Sequence, residues 1–389
     1  MSEDPAKLSL SNFLAGETND PLEAPPSFTN WMRVGAWAVK LYEPELLATA
    51  DARTTISYGG QPKSVINLCS YNYLGLANHP EVIAAAHEAL RTHGLGACGS
   101  PMLSGMTDLH RELERRVAQF LQREDAMIFN SGFGGALGTI SGLLRKTDVA
   151  ILDNRSHLSL RDGAILSRCR TEKFEHNDSG SLDAALARQK GRRQLVIVEG
   201  IYSMDGDFGN LPELLAVADS HGAKVFIDEA HSMLACGPTG RGAAEKFGVQ
   251  DRFPLVYGTF SKAIGALGGF VAGSKETLQY LRFYAHPYVY SCALPPVVVA
   301  AILKALDRHR SARTTNATMG QRRLLPCPTA RSWYRYRRID HLHHADCNRR
   351  SRTNVSTWSP VAKARSLGGA SGLSGCPARP DLLPRLCDC

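Results

Sequence analysis

Three features of the chain predict an α/β fold: a mostly parallel sheet forming a large domain with helices on both faces, joined to a small α+β domain. First, between about Ile66 and Gly273, short apolar runs recur at 126–130, 149–152, 195–199, 224–228, 255–259 and 269–272. Each has the length and Val/Ile/Phe character of a strand buried on both faces. Second, helical stretches such as 110–122 and 211–221 lie between them. Such alternation feeds parallel strands through crossover helices. Third, polar residues cluster just after the runs, where ligands bind on sheets of this kind.

The elements divide the chain into four parts. Residues 1–60, rich in Pro and polar groups with Trp31 and Trp37, read as an N-terminal arm and the start of the small domain. Residues 61–294 form the large domain. Pro295-Pro296 breaks the chain, and 297–306 reads as a helix, so 295–307 begin the C-terminal part of the small domain. Residues 308–389 are a basic tail. No internal repeat is evident.

Length and composition set outer bounds. The 389 residues suffice for one large and one small domain, and 43% hydrophobic with 21% charged residues is ordinary for a globular protein. No apolar run approaches the roughly 20 residues needed to cross a bilayer. The first 20 residues carry acids and lack an apolar signal core, so a cytoplasmic location is expected. The net charge of +8 arises in the tail, which holds 16 Lys/Arg against 4 Asp/Glu. The preceding residues hold 29 against 33, so the body offers no nucleic-acid footprint. Cys69, Cys98, Cys169, Cys236 and Cys292 are scattered without a C-x-x-C pair, which reads as reduced thiols and no metal.

Chemistry concentrates after the strands. In Gly258-Thr259-Phe260-Ser261-Lys262, a lysine follows a buried strand among small residues. A desolvated amine there has a lowered pKa and can form a Schiff base with an aldehyde. Thr259 and Ser261 offer hydroxyls to a phosphate. A surface turn would explain the pentapeptide equally well by itself. Asp228, ending the run before Glu229-Ala230-His231, is costly to bury unless it meets a cation. A pyridinium nitrogen is one such cation, which points to pyridoxal 5'-phosphate (PLP). His231 could donate to the phenolic oxygen of that ring. Asn130-Ser131-Gly132-Phe133-Gly134-Gly135 opens a helix whose N-terminus would cradle phosphate. His157 could stack on the ring, and Ser203 could reach its oxygen; a lone His or Ser is more often structural. The five signals agree in position, each just past a strand.

Competing motifs fail. There is no G-x-S-x-G elbow, no GxxxxGK[ST] and no HExxH. Gly94-Leu95-Gly96-Ala97-Cys98-Gly99 matches the dinucleotide fingerprint but follows a helical stretch, 81–91, rather than a strand.

In combination these residues resemble the α-oxoamine synthases, fold-type I PLP enzymes that include serine palmitoyltransferases and 8-amino-7-oxononanoate synthases. The resemblance runs from about Asn67 to Pro296. It rests on Ser70-Tyr71-Asn72-Tyr73-Leu74-Gly75-Leu76, Gly99-Ser100 through His110, Asp228-Glu229-Ala230-His231-Ser232, Gly237-Pro238-Thr239-Gly240-Arg241-Gly242 and the Lys262 pentapeptide. It implies a homodimer with shared active sites, condensing an amino acid with an acyl-CoA and releasing CoA and carbon dioxide. Lys262 would hold the cofactor and serve as base and acid at the substrate α-carbon. Asp228 would pair with the pyridine nitrogen, His157 stack on the ring, and His231 and Ser203 bond its oxygen. Gly132, Phe133 and Thr259 would contact phosphate, and Asn72 the substrate. Pro101 stands where the family often has Arg, which puts contacts there in doubt. Gly209-Asn210-Leu211-Pro212-Glu213-Leu214 and Tyr280-Leu281-Arg282 are most similar to the serine palmitoyltransferase branch. A PLP aminotransferase, or a non-catalytic partner subunit of the same fold, would share most of these positions.

After Asp307 the resemblance stops. The tail has 15 Arg, one Lys and no Glu, with no usable periodicity. Permitted codons for 319–350 and 364–389, read one nucleotide later, can encode segments similar to the family's small domain, including an arginine at its carboxylate-binding position. A frameshift near codons 305–312 is therefore expected, leaving a chain that binds PLP weakly and turns over poorly. A nucleic-acid-binding tail is the alternative.

Overall fold

The computed structural model describes residues 19–34 and 43–318. Trp37, the arm before residue 19 and the tail from residue 319 lie outside the described residues. In chain order the elements are α1 (Pro26–Val34), β1 (Glu45–Leu46), β2 (Arg53–Tyr58), β3 (Gln61–Ile66), α2 (Pro80–His93), α3 (Asp108–Leu121), β4 (Asp125–Phe129) and α4 (Gly132–Leu143). There follow β5 (Val149–Asp153), α5 (Leu158–Ser167), β6 (Arg170–Phe174), α6 (Ser179–Arg188), β7 (Gln194–Glu199), α7 (Leu211–Ser220) and β8 (Lys224–Asp228). The series closes with α8 (Ala243–Lys246), β9 (Leu255–Thr259), β10 (Gly269–Gly273), α9 (Lys275–Tyr284), α10 (His286–Val289) and α11 (Pro296–Thr318).

Two units result, dividing between Ser70 and Tyr71. The first contains an antiparallel sheet in the order β1-β2-β3. Gly59 and Gly60, both at positive φ, make the two-residue turn from β2 to β3. The expected boundary at 60/61 falls in that turn, so the hairpin stays whole and the division comes ten residues later.

The second unit is built on a seven-stranded sheet, order β4-β10-β9-β8-β7-β5-β6. All pairs are parallel except those of β10, which runs against both β4 and β9. Every strand but β10 therefore ends at the same edge. The interior strands β5, β9 and β10 are buried at every residue, which is why they read as unbroken apolar runs. β6, with only Phe174 buried, is a polar edge strand and carries no such signal. Core residues lie on both faces: Val196, Val198, Val225 and Ile227 pack with Leu113 and Leu182, while Ile197 and Phe226 pack with Ile140 and Leu160.

Local chemistry sets the helix ends. α3 begins in a capping box in which Thr107 N donates to His110 Nδ1 at 3.2 Å. The other ring nitrogen, Nε2, donates to Leu294 O at 2.7 Å, tying α3 to the chain entering α11. α11 runs to Thr318 rather than ending near residue 306. Residues 307–318 contain no Gly or Pro, so an established helix propagates through them without an apolar stripe. No helix among the described residues is long and apolar enough to cross a membrane.

Candidate active site

The strand ends of the second unit converge on a cavity of about 260 Å³. β8 delivers Asp228, β7 delivers Glu199, and β9 delivers Tyr257 and Thr259 with Ser261 and Lys262 just beyond. The turn into α4 supplies Ser131, Gly132 and Phe133; the turn into α5 supplies His157; His231 and Leu267 complete the wall. Nine of the residues singled out in sequence, Ser131 and Ser261 among them, thus meet in one place. Ser203 and Asn72 do not line it. Ser203 sits half-buried on the turn after β7. Asn72 Oδ1 accepts from Ala77 N at 3.3 Å and lies against Gly265, three residues past the lysine.

One end of the cavity is shaped for an anion. Ser131 caps α4, its Oγ accepting from Gly134 N at 3.0 Å. The first-turn amides of this twelve-residue helix therefore face the cavity with the positive end of its dipole. Thr259 Oγ1 and Ser261 Oγ lie 2.8 Å apart. Gly132 is required by space: a Cβ there would come within 2.6 Å of Thr259 Oγ1. Tyr257 donates to Gly132 O at 2.8 Å and fixes this approach.

The opposite wall holds carboxylates. Asp228 and Glu199 are register partners on adjacent parallel strands, 5% and 3% exposed. Burial pushes Asp228 up to about 6, opposed by the Lys262 ammonium and the Ala230 amide. Burial also pushes Glu199 well above the usual carboxylate range, and the Asp228 charge adds to it. Lys262 is lowered by the same burial, with Asp228 and Glu199 pulling it back. Its Nζ lies 6.0 Å from the centre of the Tyr71 ring. His231 is pushed down to about 2 by burial and then by Lys262 and His157, so it is neutral. Its Nδ1 is 2.8 Å from Tyr73 Oη. His157 is lowered by burial and by Lys262. As the cap of α5, its Nδ1 accepts from Ser159 N at 3.3 Å, and its backbone amide donates to Glu199 Oε1 at 2.6 Å.

Glu199, Tyr257 and Tyr73 are additions to the residues singled out in sequence. Glu199 ends a buried apolar run just as Asp228 does, and that argument could have found it. Tyr257 carries only the strand's alternation with Thr259, and Tyr73 only its place in a quoted motif.

A buried amine, an anion cradle and a strand-end carboxylate around one cavity define a fold and site class. The aminotransferase class I and II family matches residues 63–325, and the chain belongs to that family. Similar proteins within it are the 8-amino-7-oxononanoate synthase of Thermoanaerobacter pseudethanolicus and the serine palmitoyltransferase of Sphingobacterium spiritivorum. The first is 41% identical over 247 residues and the second 41% over 246, in both cases 63% of this chain and 62% of the relative. The chain therefore matches less than two thirds of these relatives' length. Among solved structures, the serine palmitoyltransferase of Sphingomonas wittichii is 36% identical with a TM-score of 0.69, over 74% of this chain and 72% of that one. A serine palmitoyltransferase from S. paucimobilis, solved with bound PLP and myriocin, has the same identity and TM-score over 74% of each chain. These relatives are the α-oxoamine synthases that the motifs resemble.

Proposed function

We propose that this cavity binds PLP and that the chain is built to condense an amino acid with an acyl-CoA, releasing CoA and carbon dioxide. The observation that carries the reading is a buried amine with a lowered pKa sharing one cavity with a buried carboxylate and an anion cradle. The residues fit the cofactor. Ser131, Gly132, Phe133, Thr259 and Ser261 would hold its phosphate; Asp228 would face the pyridine nitrogen; His157 would cover the ring face. His231 and Ser203 would serve the phenolic oxygen, and Asn72 the substrate. When bound, PLP supplies an electron sink for charge developing at the substrate α-carbon.

The chain's own residues supply the rest. Lys262, less basic than a free lysine, can take a proton at Nζ and return it more readily than a free lysine would. Asp228 regains full ionisation once a cation faces it. Neutral His231, held by Tyr73, offers a directed hydrogen bond rather than a charge. A second copy of the chain would cover the cavity's apolar rim, where Phe133 and Leu267 are exposed.

The relatives' activity stands behind the choice of condensation over amino-group exchange. The frame of residues 308–389 lacks a match to the family's carboxylate-binding arginine, so we propose weak cofactor binding and slow turnover for this chain. The test has two parts. Visible absorbance with borohydride reduction reports covalent PLP, and its loss in Lys262→Ala assigns the lysine. Thiol release from acyl-CoAs of several lengths with serine, glycine or alanine then separates condensation from transamination, which transfers the amino group to a keto acid and releases no CoA.

A further inference from the structure

A second cluster of titratable groups lies beside the cavity, at the ends of β5 and β6. Asp153, the last residue of β5, is fully buried. Its carboxylate accepts from Arg155 N at 2.8 Å and Asn177 N at 3.0 Å. His176 Nδ1 lies 3.0 and 3.1 Å from its two oxygens, and His176 Nε2 lies 3.0 Å from Asp207 Oδ2. A neutral imidazole has one donor and one acceptor, so with a carboxylate at each nitrogen the ring must be a cation to satisfy both. The edge of the ring meets buried Tyr202, centroids 4.6 Å apart.

Two of the three segments joined here carry candidate cofactor contacts, His157, which lines the cavity, and Ser203, which does not. Four residues past Asp153 comes His157. Asp207 belongs to the turn after β7 that carries Ser203, and Tyr202 N donates to Asp207 O at 3.0 Å. Asn177 secures the same turn, donating to Phe208 O at 3.0 Å and accepting from Asn210 N at 2.9 Å. We propose that His176 is a positioning residue: held as a cation between Asp153 and Asp207, it fastens the turn bearing His157 to the turn bearing Ser203. Its effect on cofactor binding rests on the function proposed above; the fastening itself does not.

The surrounding charges favour the cation. The charged groups acting on His176 are Asp153 at the β5 end and Asp207 on the turn after β7; Arg155, Arg161, Glu175, Glu199 and Asp205 stand on the same or adjoining segments. Arg155 lies 3.9 Å from Asp205, Arg161 donates to Asn154 O, and Glu175 accepts from Asn154 Nδ2. Burial opposes charge on His176, but hydrogen bonds and attraction from Asp153 and Asp207 outweigh it and raise its pKa.

The full chain labelled with ¹⁵N-histidine tests this, first without cofactor and then titrated with PLP. At pH 6 His176 should show two protonated ring nitrogens, and His157 signals should shift as His176 loses its proton at higher pH. His176→Gln should displace or broaden the His157 signals while far-ultraviolet dichroism is unchanged. It should also weaken PLP binding about tenfold and flatten the alkaline limb of the binding profile. Asp207→Asn should act in the same direction and decides the matter if the glutamine variant does not fold. A folded variant with unmoved His157 signals and an unchanged PLP profile would overturn the proposal, leaving His176 merely structural. Failure of the unmodified chain to bind PLP would overturn the proposed function, while the His157 signals still decide the fastening.

Discussion

The cavity wall and the brace beside it use the same residue types to opposite ends. At the ends of β7, β8 and β9, burial dominates: Asp228, Glu199, Lys262 and His231 are all pushed toward their neutral forms. At the ends of β5 and β6, a histidine between two carboxylates is pulled toward its charged form. The difference is where the opposite charge stands: at the wall burial outweighs the pull of neighbouring charges, whereas His176 has a carboxylate hydrogen-bonded at each ring nitrogen.

The largest expected effect breaks the wall. Asp228→Asn should weaken PLP binding about 150- to 5,000-fold, the cost of removing one member of a buried ion pair, about 3–5 kcal/mol. Yet the cofactor-free variant should melt higher at pH 8. With its pKa raised to about 6, the native carboxylate costs stability as pH rises from about 4 toward 6, and asparagine removes that cost. A thermal melt beside a fluorescence titration checks both; a lower melting temperature would contradict the account of the wall.

Next comes Gly132→Ala. Its Cβ would press on Thr259, so a local cost of about 1–3 kcal/mol and weaker PLP binding are expected, with the His176 signals unmoved. Melts and ¹⁵N spectra report the two parts separately.

The smallest effect is a pair of pH slopes. Stability from His176, whose folded pKa is raised, is fully present below about pH 6.5 and is lost as pH rises through the folded value. His231, lowered to about 2, does the reverse: its contribution is present above about pH 6.5 and is lost as pH falls toward 2. His176→Gln should therefore flatten the alkaline side of a stability profile, and His231→Gln the acid side. Denaturant midpoints from pH 4 to 9 distinguish them.

The same contrast explains what the sequence made legible. The runs at 224–228 and 255–259 mark β8 and β9 residue for residue, because strands covered on both faces leave no alternation to blur their ends. β6 left no such trace, since an edge strand needs little apolar surface. Asp228 and Lys262 could be read from chemistry that is costly unless used. The brace could not: Asp153, His176 and Asp207 are ordinary polar residues in three separate segments, and only the crossover order β7-β5-β6 brings them together. Asn72 and Ser203 depend on turn geometry that local sequence does not encode.

The most direct measurement is borohydride reduction of the PLP-treated chain followed by peptide mapping. Cofactor should be found fixed to the peptide containing Lys262, and none in Lys262→Ala. Label on another lysine, or a signal that survives the substitution, would contradict this.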